Sequence, residues 1–557
     1  MALPSVNPAA RAEMPSPRVP LARAGAPLAW AAGALALSHV SPAARALPVL
    51  HVLRGPLGGV LAAVALVVAV AAWLPPIHVS RARSGVLLAV AWTFLLAVGL
   101  SYTMRLRVSG DEPHYLLMAQ SLWREHDLDL RDNMAREDWR EYTPGPITPH
   151  YAAPRADGRP FPAHSPGLPL LLAPLYALGG RTLCVALLTL MAAALAAEMR
   201  AAAWRLTGDE EAALLAWSLA LVPPIAFYAF EVYTEVPSAL ALAVALRLVM
   251  AAPGPAGAAA AALLASALPW LHMKMMPAAV ALGIVALARL RGRPRLAFVA
   301  VAAAMAAGFL LYYRAVFGVP SPLAVYGGLP RDASGSPLRA LVGLALDRSF
   351  GLLPYAPVFV LALAGVAARA RARAWAYALV ALAVIAPVLT WRMWWGGQCP
   401  PARFLVPLVP VLALAAATRV AADRRGLARW RWVLAVLGVA TVVAMTIRPG
   451  ALLLLNRGDR PTRWWAALSG EWPVGRYLPS LVAPSSDEWR VAFVWLGALA
   501  ILVVLDALAR RRDRVDRLFC GLGLPIVLLL AVGIAIDTWA RRTPENTTAV
   551  TPDTTPE

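Results

Sequence analysis

The sequence is poor in charged residues and has no long polar segment. Of its 557 residues only 15% are charged, whereas 60% are hydrophobic, a balance too apolar for a set of soluble domains. Polar stretches reach roughly 60 residues at most, which leaves no room for a sizeable soluble domain. Apolar runs long enough to cross about 30 Å of hydrocarbon recur along the chain. An integral membrane protein is therefore predicted, with any active site built from helix ends and short loops.

Cysteine and lysine are also scarce. Cys184, Cys399 and Cys520 lie far apart without metal-ligand spacing, so neither a disulfide framework nor a zinc site is predicted from them. Lysine occurs once, at Lys274, and arginine supplies every other basic residue. This usage, together with the high alanine content, indicates GC-rich coding and hence a bacterial protein.

The net charge of +20 does not indicate nucleic-acid binding. The basic residues fall in short clusters between apolar runs, a pattern that reports membrane topology and not a polyanion partner. We therefore predict no nucleic acid among the partners, and the lipid bilayer as the first of them.

Hydropathy predicts an all-α, polytopic helical bundle of about 13 to 15 transmembrane helices. The candidate spans are 26–42, 56–75, 85–103, 182–203, 212–230, 233–251, 257–271, 275–290, 296–317, 351–368, 374–391, 402–418, 432–450, 491–509 and 519–537. The segment 167–180 is apolar but too short to span and contains two prolines, so it is predicted to be re-entrant or interfacial.

The arginine clusters predict the orientation, because basic residues beside a span stay on the cytoplasmic side during insertion. If the spans alternate, one face receives the clusters at 81–83, 200–205, 289–295, 369–373, 419–431 and 510–517. The opposite, outer face then receives the loops 104–166, 231–235, 271–274, 318–350, 391–401 and 451–490. Most of the unusual side chains lie in these outer segments.

Four regions are expected along the chain. Residues 1–84 form a cytoplasmic tail and extra N-terminal spans, and 85–320 a catalytic transmembrane core that includes the outer loop 104–166. Residues 321–540 form a C-terminal transmembrane region with the outer loop 451–490. The threonine-rich tail 541–557 has the composition of a disordered segment.

The strongest motif is an acidic pair, Asp111 and Glu112, directly after the span 85–103. Pro113 suits a first helical turn, and the apolar stripe that follows predicts an interfacial helix on the membrane surface. Carboxylates at a helix N-terminus are stabilised by the helix dipole, and the same position favours a phosphate or a metal–phosphate pair. The alternative is that the pair only caps the helix.

A second acidic pair, Glu231 and Glu235, occupies the outer corner between two predicted spans. Carboxylates near membrane depth are costly and usually face a cavity or a partner. Glu235 is the stronger candidate of the two. Because it opens the helix 233–251, helix capping is an alternative for it as well.

Three further outer positions carry candidate substrate-binding residues. Lys274, beside His272, is the single compact ammonium in a chain that otherwise uses arginine, which favours a phosphate partner, although a lysine extended toward the interface is an equal alternative. Arg403 opens a span on the outer side, against the positive-inside bias, and a planar guanidinium there can hold phosphate oxygens. His164 is a weaker candidate.

Together these motifs resemble the GT-C membrane glycosyltransferases, nearest to the protein-mannosyltransferase and aminoarabinose-transferase type. The resemblance covers roughly residues 85–450 as an ordered series of short motifs. It rests on Asp111-Glu112 and its helix, the corner 231–235, Pro-Trp-Leu-His at 269–272, Phe-Gly-Leu-Leu-Pro-Tyr-Ala-Pro at 350–357, Trp-Trp-Gly-Gly at 394–397 and Ala-Arg-Phe-Leu-Val-Pro at 402–407. The chain departs from the pattern in its two spans before residue 85 and in lacking a soluble C-terminal domain.

The resemblance implies transfer of a sugar from a polyprenyl-phosphate donor to a glycan, lipid or protein acceptor. Asp111 then matches the family's first-loop acidic residue, a base or metal partner, and Glu112 completes the pair. A divalent cation, Mg²⁺ or Mn²⁺, is the cofactor expected on these two carboxylates. The predicted location is the bacterial inner membrane with the site facing the periplasm. The alternative function is a multi-pass transporter or a lipid or glycan flippase, which needs charges near mid-membrane and inverted repeats.

Overall fold

A computed structural model describes residues 21–540 except 74–83, 107, 109, 144, 153–160, 324–334, 367–373, 448–461, 471 and 521. Within these residues the chain is helical with no named strand, and an isolated antiparallel bridge joins Tyr151 and Pro162. This confirms the all-α class. The tail predicted at 541–557 lies outside the described residues.

The α-helices vary widely in length. Their bounds are Leu21–His39, Ser41–Ala46, Pro56–Trp73, Ser84–Thr103, Glu112–Arg124, Arg131–Ala135, Gly167–Thr207, Glu210–Ser218, Ile225–Tyr228, Glu235–Ala251, Pro255–Leu271, Met276–Arg289, Gly292–Phe317, Pro337–Leu346, Val360–Val366, Ala374–Thr390, Val409–Ala422, Arg431–Ile447, Arg463–Leu468, Ser486–Ala509, Asp513–Asp516 and Gly523–Ala540. Two short 3₁₀ helices matter for the site, namely Met273–Met275 and Arg403–Leu408.

Among the residues that the structure describes, six helices are long and apolar enough to cross a membrane, or up to eight if each bent pair forms one span. The larger number predicted from hydropathy counts shorter apolar helices as well. These include Pro255–Leu271, Pro357–Val366 and Ala374–Thr390, whereas the short apolar helix Pro337–Leu346 falls in the predicted outer loop 318–350.

Proline and glycine break two of the predicted segments. The predicted span 212–230 is interrupted between Ser218 and Ile225, because Pro223 and Pro224 cannot continue a helical hydrogen-bond ladder. The segment 167–180 and the next span are two helical parts of the bent helix Gly167–Thr207, separated by a kink at Gly179 and Gly180, where the backbone is not helical. This bent helix is central and packs against Ser84–Thr103, Glu112–Arg124, Glu210–Ser218, Glu235–Ala251 and Val409–Ala422.

The helix Glu112–Arg124, predicted to lie on the membrane surface, is enclosed by protein. Its first ten residues, through Ser121, are all buried. The helix packs against the bent helix Gly167–Thr207. Its apolar stripe therefore contacts other helices, and its N-terminus is held within the protein.

The span Arg403–Ala422 carries an arginine near each end. Arg419 is fully buried and donates to both carboxylate oxygens of Asp506, at 2.7 and 2.6 Å, and to the carbonyls of Asp423 and Arg425. At a rise of about 1.5 Å per residue, Arg403 lies about 25 Å away. The two ends of this span thus hold two separate charge clusters.

The Arg419 end contains most of the predicted cytoplasmic cluster at 419–431. Its arginines pair with acidic residues from two other helix ends. The pairs are Arg424–Asp209, Arg424–Glu211, Arg425–Asp513, Arg429–Asp516 and Arg431–Glu211. The loops at 207–211, 423–431 and 510–517 therefore meet at one end of the bundle.

Replacing Arg419 with methionine tests the importance of its buried ion pair. Arg419→Met leaves the buried Asp506 carboxylate with only the weaker ionic contact to Arg510, 3.9 Å away, so it should destabilise the protein by about 3–5 kcal/mol. Thermal unfolding in detergent measures the loss. The matched control is Arg424→Met, at a pair whose arginine is 43% exposed, which should cost less than about 1 kcal/mol. Equal shifts in the two variants would contradict the assignment.

Candidate active site

At the end of the bundle opposite Arg419, four charged side chains are connected by hydrogen-bonded ion pairs. Arg403 Nη2 donates to Asp111 Oδ2 at 2.5 Å, and its Nε donates to Glu235 Oε1 at 2.9 Å. Lys274 Nζ donates to the same Glu235 oxygen at 2.7 Å. Residues up to 292 positions apart in sequence thus form one network.

Burial differs sharply along this network. The Glu235 side chain is inaccessible, Arg403 is 6% and Lys274 9% exposed, whereas Asp111 is 22% exposed. The two carboxylates and two cations cancel in formal charge, which lets them persist in a low-dielectric site. Asp111 is therefore the member that an incoming molecule reaches most easily.

The Asp111 carboxylate does not cap its helix. The residue occupies the N-cap position, but its side chain makes no capping hydrogen bond. Burial alone would raise the pKa of Asp111, yet the Arg403 guanidinium outweighs that effect and holds the pKa well below its usual range. The capping alternative thus fails for the described contacts, and the carboxylate is committed to Arg403.

Backbone geometry around Asp111 requires glycine at the preceding position. Gly110 has φ of +57°, and a Cβ there would lie 2.2 Å from the Tyr233 hydroxyl oxygen. That hydroxyl accepts the Asp111 backbone N–H at 3.3 Å. The Tyr233 ring also lies against the guanidinium of Arg403, 4.2 Å from ring centroid to Cζ. Tyr233 therefore positions both partners of the ion pair.

The turn before Arg403 fixes the guanidinium from the other side. Arg403 Nη1 donates to the Gly396 carbonyl at 3.0 Å. The Tyr228 hydroxyl donates to the Pro400 carbonyl at 2.6 Å, and the Ala402 N–H donates to the Phe350 carbonyl at 2.9 Å. The tryptophan-rich motif at 394–397 thus serves in part to hold Arg403.

Lys274 is buried and does not extend to an interface. Besides its bond to Glu235, its Nζ lies 4.2 Å from the centroid of the Phe404 ring. Its backbone N–H donates to His272 Nδ1 at 3.1 Å. Because that nitrogen accepts, a proton on the ring sits at Nε2. His272 therefore shapes the turn that presents Lys274 and belongs to the same site.

Glu112 and Glu231 form a second, deeper acidic pair. Glu112 is inaccessible, accepts the Val232 N–H at 3.0 Å and lies 3.6 Å from Arg181 Nη2. Glu231 accepts the Tyr102 hydroxyl at 2.8 Å. Burial raises the pKa of Glu231, and the adjacent Glu112 raises it further. This pair therefore supports the corner at 231–235 beneath Asp111.

His164 lies in a cluster of three imidazoles with His114 and His150. The His150 Nδ1 and His164 Nε2 atoms are 3.1 Å apart. Burial lowers the pKa of His114 to about 3 and that of His164 to about 4. The Asp111 carboxylate opposes this effect by raising the pKa of both histidines, and His164 in turn helps to lower the pKa of Asp111.

Sequence reasoning missed Arg181, His114 and His150. Arg181 carried a usable signal, because it follows Gly179-Gly180 at the outer end of a predicted span, the same anomaly that identified Arg403. The histidines carried a weaker one, since four of the eight in the chain fall within 104–166.

Comparison with known proteins gives only distant structural similarity. No family model and no curated relative matches the chain. ArnT from Cupriavidus metallidurans bound to undecaprenyl phosphate is similar at 16% identity and a TM-score of 0.45, over 83% of this chain and 79% of that one. The same protein in the apo state gives 17% and 0.44, over 81% and 76%. An apo oligosaccharyltransferase from Archaeoglobus fulgidus gives 13% and 0.35, over 75% and 58%. Similarities of this size assign no function.

Substitution of Gly110 tests the packing that holds Asp111. Gly110→Ala should lower thermal stability for two reasons. The positive φ strains an alanine backbone, and the new Cβ collides with the Tyr233 hydroxyl. Gly208→Ala is the matched control, because Gly208 has φ of +67° and open space around a Cβ, so it should cost only about 1–2 kcal/mol of backbone strain.

The double variant Gly110→Ala/Tyr233→Phe isolates the collision. Removing the hydroxyl leaves the nearest ring carbon at 3.5 Å from the new Cβ, an ordinary contact. The double variant should therefore be more stable than Gly110→Ala alone, a non-additive result. Simple additivity of the two losses would refute the close approach.

Proposed function

We propose that the chain is a membrane glycosyltransferase that moves a sugar from a polyprenyl-phosphate donor to an acceptor hydroxyl. The observation that carries the proposal is the Asp111–Arg403–Glu235–Lys274 network, in which a partly exposed carboxylate adjoins two buried cations. A carboxylate suits proton removal from a hydroxyl, and two cations suit a phosphate leaving group.

The donor phosphate would bind where Arg403 now holds Asp111. Arg403 and Lys274 share the single buried carboxylate of Glu235, so an added phosphate brings negative charge to a site with two cations already in place. A phosphate oxygen on Arg403 Nη2 would replace Asp111 there. An apolar polyprenyl tail would meanwhile lie among the surrounding helices.

Displacement from Arg403 would also activate Asp111. While paired, Asp111 has a depressed pKa and is a weak base. Loss of the guanidinium contact and arrival of phosphate charge both raise the pKa of this carboxyl. Donor binding would thus prepare the base only when a sugar is present to be transferred.

The reaction would then follow from these positions. Asp111 accepts the proton of the acceptor hydroxyl while the oxygen of that hydroxyl forms a bond to the anomeric carbon. The bond from that carbon to the phosphate oxygen breaks, and its electron pair leaves with the polyprenyl phosphate. Arg403 and Lys274 stabilise the charge on this leaving group. The family resemblance implies inversion at the anomeric carbon.

Glu112 and a divalent cation have a secondary place in this proposal. Glu112 is fully buried and accepts the Val232 N–H, so its contribution would be to hold the site and not to contact the acceptor. Mg²⁺ or Mn²⁺ bound at Asp111 remains part of the proposal as a further partner of the donor phosphate. The acceptor, whether glycan, lipid or protein, would reach the site from the Asp111 side.

Asp111→Asn is the decisive substitution. The amide is nearly isosteric but cannot take a proton, so release of polyprenyl phosphate from a labelled donor by purified protein should fall by about 10²-fold or more. Asp132→Asn is the matched control, an acidic residue of the same loop that is 50% exposed, and should retain parental rates. In the same assay Lys274→Met should lower kcat/KM, since it removes a cation that both binds the donor phosphate and stabilises the leaving group. Near-parental turnover by Asp111→Asn would overturn the catalytic role.

The proposed orientation places this site at the periplasmic face of a bacterial inner membrane. Single cysteines at Asp132 and Arg425, 50% and 44% exposed, can be probed with an impermeant maleimide on intact cells. Cys520→Ser removes the exposed native thiol, and Cys184 and Cys399 are buried. Asp132→Cys should react directly, and Arg425→Cys only after permeabilisation. The reverse pattern would place the site inside.

A further inference from the structure

Three histidines converge beside the candidate active site. One ring nitrogen from each of His114, His150 and His164 lies within 4.8 Å of the other two. The rings of His114 and His150 stack with centroids 3.9 Å apart, and those of His114 and His164 with centroids 5.3 Å apart. Among the described residues, these three histidines form the group of potential ligands whose atoms lie close enough together to hold a single metal ion.

Rigid backbone presents these rings. His114 lies in the first turn of the buried helix Glu112–Arg124. His150 and His164 flank the antiparallel bridge between Tyr151 and Pro162, where the Ala163 N–H donates to the His150 carbonyl at 2.8 Å. The ligand positions are therefore set by backbone pairing and helix packing. A site held in this way needs little rearrangement to bind an ion.

We infer that His114, His150 and His164 bind one divalent transition-metal ion of the Zn²⁺ class. Imidazole nitrogen suits zinc and its neighbours, whereas Mg²⁺ demands oxygen ligands. Ligation uses one neutral imidazole nitrogen from each of the three rings. Three imidazoles also leave one tetrahedral position open, as in zinc sites that bind water.

The ion would fasten the outer loop to the acidic helix. His150 and His164 belong to the loop segment, and His114 lies three residues after Asp111 in the chain. A bound ion would thus fix the bridge between Tyr151 and Pro162 beside the helix N-terminus that carries the proposed base. This role differs from that of the Mg²⁺ or Mn²⁺ proposed at Asp111, because imidazole and carboxylate ligands favour different ions.

Metal binding to the full-length protein, purified without a histidine tag and stripped with a chelator, tests this assignment. Added Zn²⁺ should bind at one equivalent, measured by calorimetry and by metal analysis after dialysis. His150→Asn removes an exposed ligand and should weaken binding by more than about 100-fold, since loss of an outer-shell partner alone costs about 10–100-fold. His126→Asn, an exposed histidine of the same loop with φ of +63°, should bind as the parent does.

X-ray absorption of the zinc-loaded parent provides a readout that needs no variant, and three imidazole ligands are expected. Parent protein that retains no zinc, a spectrum with fewer than two imidazoles, or equal affinity in His150→Asn and the parent would each overturn the site. None of these measurements requires sugar transfer. Failure of the metal site therefore leaves the proposed glycosyltransferase untouched, and the reverse also holds.

Discussion

The site depends on one buried guanidinium held between two carboxylates. Arg403 reaches Asp111 with one nitrogen and Glu235 with another, while Lys274 shares Glu235. Removing the Glu235 carboxylate would leave the buried Lys274 ammonium without its hydrogen-bonded counter-charge, which typically costs about 3–5 kcal/mol. The loop before Asp111, the corner before Glu235, the turn at Lys274 and the tryptophan-rich turn before Arg403 must therefore assemble together.

Aromatic and backbone contacts make that assembly possible. Tyr233 contacts both ends of the Asp111–Arg403 pair, and Gly110 is the residue that lets the chain pass its hydroxyl. The Gly396 carbonyl, in the turn before Arg403, accepts a hydrogen bond from the remaining guanidinium nitrogen. The short, degenerate motifs of the sequence are thus the contact points of one polar network, which explains why each is weak alone and informative in order.

The span Arg403–Ala422 carries a different cluster of ion pairs at each end. Its first residue belongs to the candidate site, and Arg419 near its other end anchors a buried ion pair with Asp506. At that second end most acidic groups pair with arginines in structural bridges between helices. At the first end an accessible carboxylate remains beside buried cations, and this asymmetry directs the search for chemistry to the Asp111 end.

The sequence alone predicted the membrane class and the residues that meet in the candidate network. Apolar length and scarce charge are local properties, so helices follow from them, and Asp111, Glu235, Lys274 and Arg403 stood out because each is anomalous for its position at a helix end. The tertiary structure decided which anomalies meet. Only packing showed that Glu112 and Glu231 pair away from the network, that the helix after Asp111 is enclosed by protein, and that Arg181 joins this region. Only the tertiary structure showed that His114, His150 and His164 lie together. A metal site depends on distances between these side chains, which are up to 50 residues apart in sequence, and no local sequence pattern encodes such distances.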